Sequence, residues 1–272
     1  MENSLFDLSG KIAVITGGFG QLGRQYSCAI VKSGGKVFIL DISTSSEIPD
    51  PLFEKFIEEG KIKAIKCDIT SRKEVEKSLL KIEKLWKTPD ILINNAALDS
   101  PPNAPAKENG PFESYPKESL NKILDVNISG TFICCQVFGG AMAKAGKGSI
   151  INISSIYGMV SPNQDIYKYK RIGGKEWYKP ASYAVSKSAI MNLTRYLATY
   201  WAKKGVRVNT LSPAGIFNNQ DKEFLTEYKK RIPIGRMAEP HEMNGAIIFL
   251  SSDASSYMTG ANLVIDGGWT AW

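Results

Sequence analysis

Short runs of β-branched and aliphatic residues punctuate this chain, each followed by a longer stretch with apolar residues at helical spacing. The runs Lys11–Thr16, Lys36–Asp41, Ile62–Lys66, Asp90–Asn94, Gly148–Ser154, Val206–Leu211 and Asn262–Asp266 predict strands. Most are continuously apolar, the pattern of strands covered on both faces. Helices are expected over about 21–34, 71–87, 117–145, 181–204 and 239–251. This alternation predicts an α/β fold, a doubly wound parallel sheet with helices on both faces, in a single domain over 1–272. Two stretches interrupt it. Ser100–Pro116 carries Pro101, Pro102, Pro105, Pro111 and Pro116, and Ser161–Pro180 is rich in cations and aromatics. Both are long enough to be functional loops.

Composition narrows the partners. The chain has 272 residues, 43% hydrophobic, with 34 Lys and Arg against 27 Asp and Glu, so a net charge of +7. Residues 54–87 mix Glu and Lys, which reads as solvated helix faces rather than a nucleic-acid stripe. Cys28, Cys67, Cys134 and Cys135 form no Cys-x-x-Cys pair. They read as reduced core thiols of a cytoplasmic protein, and no metal site is expected. The N-terminus lacks the pattern of a signal peptide, and no run of about 18 apolar residues predicts a membrane span. The single histidine, His241, follows Pro240 and reads as an exposed residue near a helix start.

The first strand runs into Thr16-Gly17-Gly18-Phe19-Gly20-Gln21-Leu22-Gly23 and then a helix. Glycines allow a tight turn and close approach of the backbone to a pyrophosphate, which the free N–H groups of a helix N-terminus favour. The second strand ends in Asp41, where a carboxylate accepts from adenosine ribose hydroxyls and repels a 2′-phosphate. NAD is therefore expected in preference to NADP. Cys67-Asp68-Ile69 follows the third strand; Asp68 either meets the adenine or caps the next helix.

Far downstream stands Tyr183-Ala-Val-Ser-Lys187. Residues four apart share a helix face, so an ammonium is held one turn from a phenol. Bringing a tyrosine from a pKa of about 10 to near neutrality requires roughly 4 kcal/mol. A cation at about 4 Å supplies that much at an effective dielectric of about 20. Ser155 lies just past the fifth strand, and both groups converge at the carboxyl edge of the sheet. Ser155 as a helix cap and Asn127 as a polar residue inside a helix remain open structural roles.

Together these residues resemble a short-chain dehydrogenase/reductase of the short, single-domain branch. The resemblance covers nearly the whole chain. It rests on Thr16–Gly23, Asp41, Asp68, Asn94-Asn95-Ala96-Ala97, Asn127-Ile-Ser-Gly130, Ile151–Ser155, Tyr183-x-x-x-Lys187, Asn209-x-x-x-Pro213 and Thr259-Gly260…Asp266-Gly267-Gly268. It implies a seven-stranded Rossmann sheet and a homodimer or homotetramer. By position it implies Tyr183 as general acid/base, with Lys187 lowering its pKa and binding the nicotinamide ribose. Ser155 would orient the substrate oxygen, and Asn127 would place a water behind Lys187. Gly17 to Gly23, Asp41, Asp68, Ile69, Asn94, Ala96, Pro213 and Ile216 would line the cofactor.

Three departures qualify it. Gln21 stands where the short branch usually has glycine, a spacing that resembles the nucleotide-sugar epimerases and dehydratases of the long branch. Ala97, Ala214 and Asn218 replace usual residues of the cofactor site. The third is a separation of 28 residues between Ser155 and Tyr183, wider than the family's usual spacing. The substrate-side insertion at about 161–180 brings Lys168, Lys170, Arg171, Lys175 and Lys179, with Tyr167, Tyr169, Trp177 and Tyr178. Aromatics stack on sugar faces and cations favour phosphate or carboxylate. The insertion is expected either to be a lid over an anionic, phosphorylated or nucleotide-linked sugar, with Tyr167, Lys168, Lys170, Arg171 and Trp177 among its contacts, or to be a solvated or oligomer-contact loop. The glycine turn and insertion are also similar to oxidoreductases of bacterial flagellin-modification and nonulosonic-acid clusters. The expected activity is hydride transfer between NAD and a secondary alcohol or carbonyl. The alternatives are a sugar epimerase or dehydratase with recycled NAD, or a non-catalytic NAD-binding accessory protein. Trp269 and Trp272 suggest a buried C-terminus.

Overall fold

β1 (Ile12–Thr16) and β4 (Ile91–Asn94) are buried along their whole length, and apolar up to their last residues, because helices cover both faces of the sheet they centre. The computed structural model describes residues 5–46, 49–99 and 106–272. The remaining strands are β2 (Lys36–Asp41), β3 (Ile62–Lys66), β5 (Gly148–Ile153), β6 (Arg171–Ile172), β7 (Lys175–Glu176), β8 (Val206–Pro213) and β9 (Asn262–Ile265). Seven of the nine strands among the described residues make one sheet in the order β3-β2-β1-β4-β5-β8-β9. Every pairing in it is parallel. The order reverses between β1 and β4, which opens a crevice at the carboxyl ends of those strands.

Two apolar layers sandwich the sheet. One holds Phe19, Tyr26, Ile30, Phe53, Phe56 and Leu250, from α1 (Gln21–Lys32), α2 (Pro51–Glu58), α7 (Asn244–Ser251) and the turn before α1. The other holds Ile82, Phe138, Met142, Leu197 and Trp201, from α3 (Arg72–Leu85), α4 (Lys117–Ala145) and α5 (Ala181–Trp201). The expected sheet and the five expected helices are all present, with ends that differ by a few residues. α4 is 29 residues long, and its most apolar window has a mean hydropathy of 1.3. Half of that window is buried, and Cys134, Cys135, Phe138 and Met142 pack on the sheet, so it is a core helix. The four cysteines are free and buried.

α2 and α6 (Lys222–Lys229) were not expected from the periodicity. Eight residues carry little periodic signal, but each helix has an aspartate cap. Asp50 accepts from Phe53 N at 3.1 Å and Asp221 from Phe224 N at 2.9 Å. Of the proline-rich loop, 100–105 lie outside the described residues; Ala106–Glu108 and Phe112–Ser114 are 3₁₀ turns.

The insertion is structured. It opens with a 3₁₀ turn, Gln164–Tyr167, and continues into the antiparallel pair β6–β7. Gly173 and Gly174, at φ +57° and +77°, make the two-residue turn between them, a geometry that L side chains resist. Tyr167 and Trp177 are buried with ring centroids 4.6 Å apart. Rings continue outward from them: Tyr167 to Phe224 at 5.7 Å, Phe224 to Tyr228 at 5.5 Å, and Tyr228 to Trp269 at 4.5 Å. This ladder fastens the insertion to α6 and to the C-terminal tail. Only part of that tail is covered, since Trp272 is 83% exposed.

Candidate active site

The turn between β1 and α1 is crowded backbone on backbone. Gly17 sits at φ +63° against Ala96, and a Cβ on Gly23 would stand 2.4 Å from the Gly17 carbonyl oxygen and 2.6 Å from Gly18 Cα. Gly18 is packed against Ile39, while Gly20 is exposed and caps α1 without any side-chain bond. The first amides of α1 therefore face the crevice. Gly23→Ala is expected to cost about 1–3 kcal/mol through overpacking, because only backbone can move away. Denaturant unfolding measures the loss, and a weakened dinucleotide titration accompanies it.

Neighbouring strands hold the turn. Thr16 Oγ1 accepts from Asn95 N and Ala96 N at 3.0 Å, and Asn95 Nδ2 donates to Thr16 O and Gly17 O at 3.1 Å. Asp41 accepts from Phe19 N at 3.1 Å and Ser43 N at 2.9 Å, which fixes its carboxylate beside the turn. Across the crevice, Gln21 Nε2 donates to Phe217 O at 2.8 Å. A turn in which Gly17, Gly18 and Gly23 leave no room for a Cβ, an uncapped helix N-terminus and a carboxylate at the end of β2 fit a nicotinamide dinucleotide. Bound there, it supplies the hydride acceptor or donor.

The reacting end lies beyond. Ser155 caps the turn Ile156–Gly158 by accepting from Tyr157 N at 3.2 Å, and its hydroxyl also hydrogen-bonds the Tyr183 phenol. The capping role left open for Ser155 is thus present. Lys187 is 4% exposed and donates to Ile153 O at 2.8 Å; its ammonium is 5.6 Å from the Tyr183 ring centre. Burial lowers the Lys187 pKa to about 8, and the Asp99 carboxylate opposes this. The Tyr183 phenol is instead pushed above its ordinary value. Burial is the main cause and Asp99 adds to it, while the Ser155 bond works against both. The expected depression of Tyr183 by Lys187 is not the balance in the protein alone, because the ammonium is turned to a main-chain carbonyl. Asn127 lies on a widened π-helical turn of α4, Asp125–Gly130. Its amide exchanges bonds with Leu98 N (2.7 Å) and Leu98 O (2.9 Å) and donates to Ser186 Oγ (2.9 Å). It clamps the segment after β4 to α5, beside Lys187.

A cleft of about 540 Å³ brings Gln21, Leu22, Ser155, Tyr183 and Lys187 together with Pro213 and Ile216. Other expected residues stand elsewhere. Asn94 is turned into the sheet, donating to Asn152 Oδ1 at 2.8 Å, and Asn95 takes the cleft position. Asp68 is exposed and accepts from Thr70 N at 2.9 Å and Thr70 Oγ1 at 2.7 Å, so it closes its own turn and caps no helix. Ile69 is buried against Gly130.

The insertion supplies different contacts from those expected. Lys168 pairs with Asp165 at 2.7 Å and Lys170 with Asp221 at 3.4 Å. Arg171 donates to Lys168 O and Lys170 O and lies 3.8 Å from Glu176. None of these three lines the cleft, because acids and carbonyls near them satisfy them. Trp177 is buried behind Tyr167, since so short a segment needs its aromatics as a core. Tyr167 does line the cleft, with Lys179, which was named in the insertion but not among its expected contacts, and with Asp99 and Tyr157, which were not named.

Comparison with known proteins settles the family. A short chain dehydrogenase model matches residues 11–169, and an enoyl-(acyl carrier protein) reductase model matches residues 169–270. The chain is a short-chain dehydrogenase/reductase. The ribulose-forming D-arabinitol 2-dehydrogenase of Candida tropicalis is 34% identical over 290 residues, covering 98% of this chain and 95% of the relative. A short chain dehydrogenase from Leptospira borgpetersenii with bound NAD+ is 36% identical, with a TM-score of 0.85 over 99% of this chain and 96% of that one. A gluconate 5-dehydrogenase from Burkholderia cenocepacia, in complex with NADP and tartrate, is 26% identical, with a TM-score of 0.84 over 100% of both. Membership makes this short-chain dehydrogenase/reductase an NAD(P)-dependent oxidoreductase acting on CH–OH groups.

Proposed function

We propose that this enzyme interconverts a secondary alcohol and its ketone on a small polyhydroxylated substrate, with NAD as the preferred dinucleotide. The observation that carries this reading is the cleft itself, where the Ser155–Tyr183 hydroxyl pair and Lys187 face the glycine turn. Asp41 supports NAD, because a 2′-phosphate would meet a carboxylate already fixed by two backbone amides. The relatives named above act on a polyol and on gluconate, and the substrate class follows them rather than the resemblance to flagellin-modifying enzymes. Assembly as a homodimer or homotetramer is part of the same proposal. Stacked Tyr196 and Tyr200, 63% and 58% exposed on α5, offer an apolar face for it.

The test is NADH or NADPH formation across polyols, polyhydroxy acids, sugar phosphates and nucleotide-linked amino sugars. Turnover on none of them with either dinucleotide would discard the reading. Asp41→Asn is expected to raise the KM for NAD by about 10- to 100-fold, the worth of a hydrogen bond to a charged group, and to narrow discrimination against NADP. Steady-state kinetics with both dinucleotides checks it.

One contact favours a second reading, in which NAD is recycled by an epimerase or dehydratase. The Gln21–Phe217 bond bridges the two walls of the dinucleotide cleft and would slow release. NAD that stays with the protein through purification, with no net NADH, is the outcome that selects it.

A further inference from the structure

Three consecutive residues at the end of β5 are tied to one turn of α5. The Ile153 carbonyl accepts from the Lys187 ammonium at 2.8 Å, the Ser154 hydroxyl donates to the Lys187 carbonyl at 2.8 Å, and the Ser155 hydroxyl bonds the Tyr183 phenol. The first two bonds close a ring. The lysine side chain grips the strand, and the next side chain of the strand grips the lysine main chain. Ser154 is 2% exposed and Lys187 4%, so water does not compete for either bond. The strand side is itself fixed, because Ser154 N donates to Leu211 O of β8 at 2.8 Å.

Satisfying the Lys187 carbonyl does not require Ser154. That carbonyl lies inside α5, where the helical ladder already supplies a donor. The hydroxyl therefore adds a second, strand-borne bond at the one helical residue whose side chain returns to the same strand. The packing around it is close. A Cβ on Gly158 would stand 2.6 Å from Ser154 Oγ and 2.8 Å from Lys187 O. Gly158 ends the turn that Ser155 caps, and Ser188 Oγ donates to its carbonyl at 2.9 Å, which holds the turn down on the bond. Proton transfer and hydride transfer both depend on how closely the reacting groups approach their productive geometry.

We infer that Ser154 is a positioning residue, which acts through Lys187 to set the place of α5 along the end of β5, and with it the place of the Lys187 ammonium and the Tyr183 phenol beside Ser155. This rests on the dehydrogenase reading above.

The experiment uses wild type, Ser154→Ala, Ser154→Thr, Gly158→Ala and the Ser154→Ala/Gly158→Ala double variant, on an alcohol from the panel above that wild type oxidises, with melting curves to confirm folding. Ser154→Ala is expected to lower kcat by about 10-fold, the worth of one hydrogen bond, and to leave the KM for NAD unchanged. Ser154→Thr keeps the hydroxyl and should recover most of the loss. Gly158→Ala should lower kcat as much, by wedging Ser154 away from Lys187. The double variant should lose no more than Gly158→Ala alone, because both changes break one contact. Isotope-edited NMR of the lysine Cε, with Lys187 assigned by its absence in Lys187→Met, adds a readout that needs no turnover. Burial brings the Lys187 titration down to about 8 in wild type. In Ser154→Ala it should lie higher, as water reaches an ammonium held less firmly at Ile153, while Asp99 and Tyr183 act on it in both proteins. Ser154→Ala with wild-type kcat and wild-type Lys187 titration, whatever its melting temperature, or losses that add in the double variant, would overturn the positioning role and leave the dehydrogenase reading intact. Absence of turnover by wild type on the whole panel removes the dehydrogenase reading instead. The Lys187 titration then decides alone: a shift in Ser154→Ala upholds the tie, and no shift overturns it.

Discussion

Tyr183→Phe is expected to lower kcat by about 10²- to 10⁴-fold, the range that a positioned proton donor contributes, while dinucleotide binding survives. The phenol lies with Ser155 and Lys187 in the cleft, whereas Asp41 is held at the end of β2 by Phe19 N and Ser43 N. Burial and Asp99 hold Tyr183 above the ordinary tyrosine value, so it is protonated near neutrality. A protonated phenol donates to the oxygen of a ketone being reduced. Alcohol oxidation needs the phenolate, so the oxidation rate of wild type should climb as the solution becomes alkaline, and the reduction rate should not. Stopped-flow rates in both directions across pH, with NAD binding followed separately for the variant, check this. Tyr183→Phe protein that retains full turnover would remove the phenol from the chemistry.

Lys187→Met is the second large effect, and it acts on stability as well as rate. The ammonium lies beside the Tyr183 ring, and its loss is expected to cost about 10²-fold in kcat, the low end of what a positioned proton-transfer group contributes. For stability, the unfolded lysine keeps its proton to about 10.5, whereas the folded one releases it near pH 8. Between those values the unfolded chain binds more protons, so stability rises with pH across that window. Below pH 8 the penalty of the buried charge is present in full, on the order of 3 kcal/mol. Buried thiols and phenols elsewhere pull the other way at high pH, so the measured quantity is the wild-type minus variant difference. That difference should grow in favour of wild type from pH 8 to above 10. A flat difference curve from denaturant unfolding would show that Lys187 is not desolvated in the folded protein.

The fold was readable because its elements are long or strongly patterned. Continuous apolar runs named the strands of the sheet, and the glycine turn named the reversal at β1, where cofactor residues must gather. Spacing alone put Tyr183 and Lys187 on one helix face, and the part expected of them came from the family resemblance. What escaped depends on distant parts of the chain. Nothing local says that Lys168, Lys170 and Arg171 are satisfied by Asp165, Asp221, Glu176 and main-chain carbonyls, while Lys179 alone points inward. Asp99 lies 80 residues from Lys179, and the Gln21–Phe217 bond spans 196. The hairpin β6–β7 was within reach, since Gly173-Gly174 between short runs is a strong two-residue turn signal. The short helices α2 and α6 announced themselves only through their aspartate caps.

The ladder of rings from Trp177 through Tyr167, Phe224 and Tyr228 to Trp269 also gives the protein an optical handle. Two indoles bracket the wall of the cleft, and light absorbed by the tyrosines between them passes readily to the indoles. Their emission overlaps the absorption of reduced nicotinamide, so quenching should track NADH at the site without any label. Trp86 packs at a tilt against Phe38 and Trp201 packs in the layer beneath the sheet, which makes them a steadier background. Replacing either bracketing indole in turn would tell whether a substrate first disturbs the insertion or the tail, and so in which order the two sides of the cleft respond.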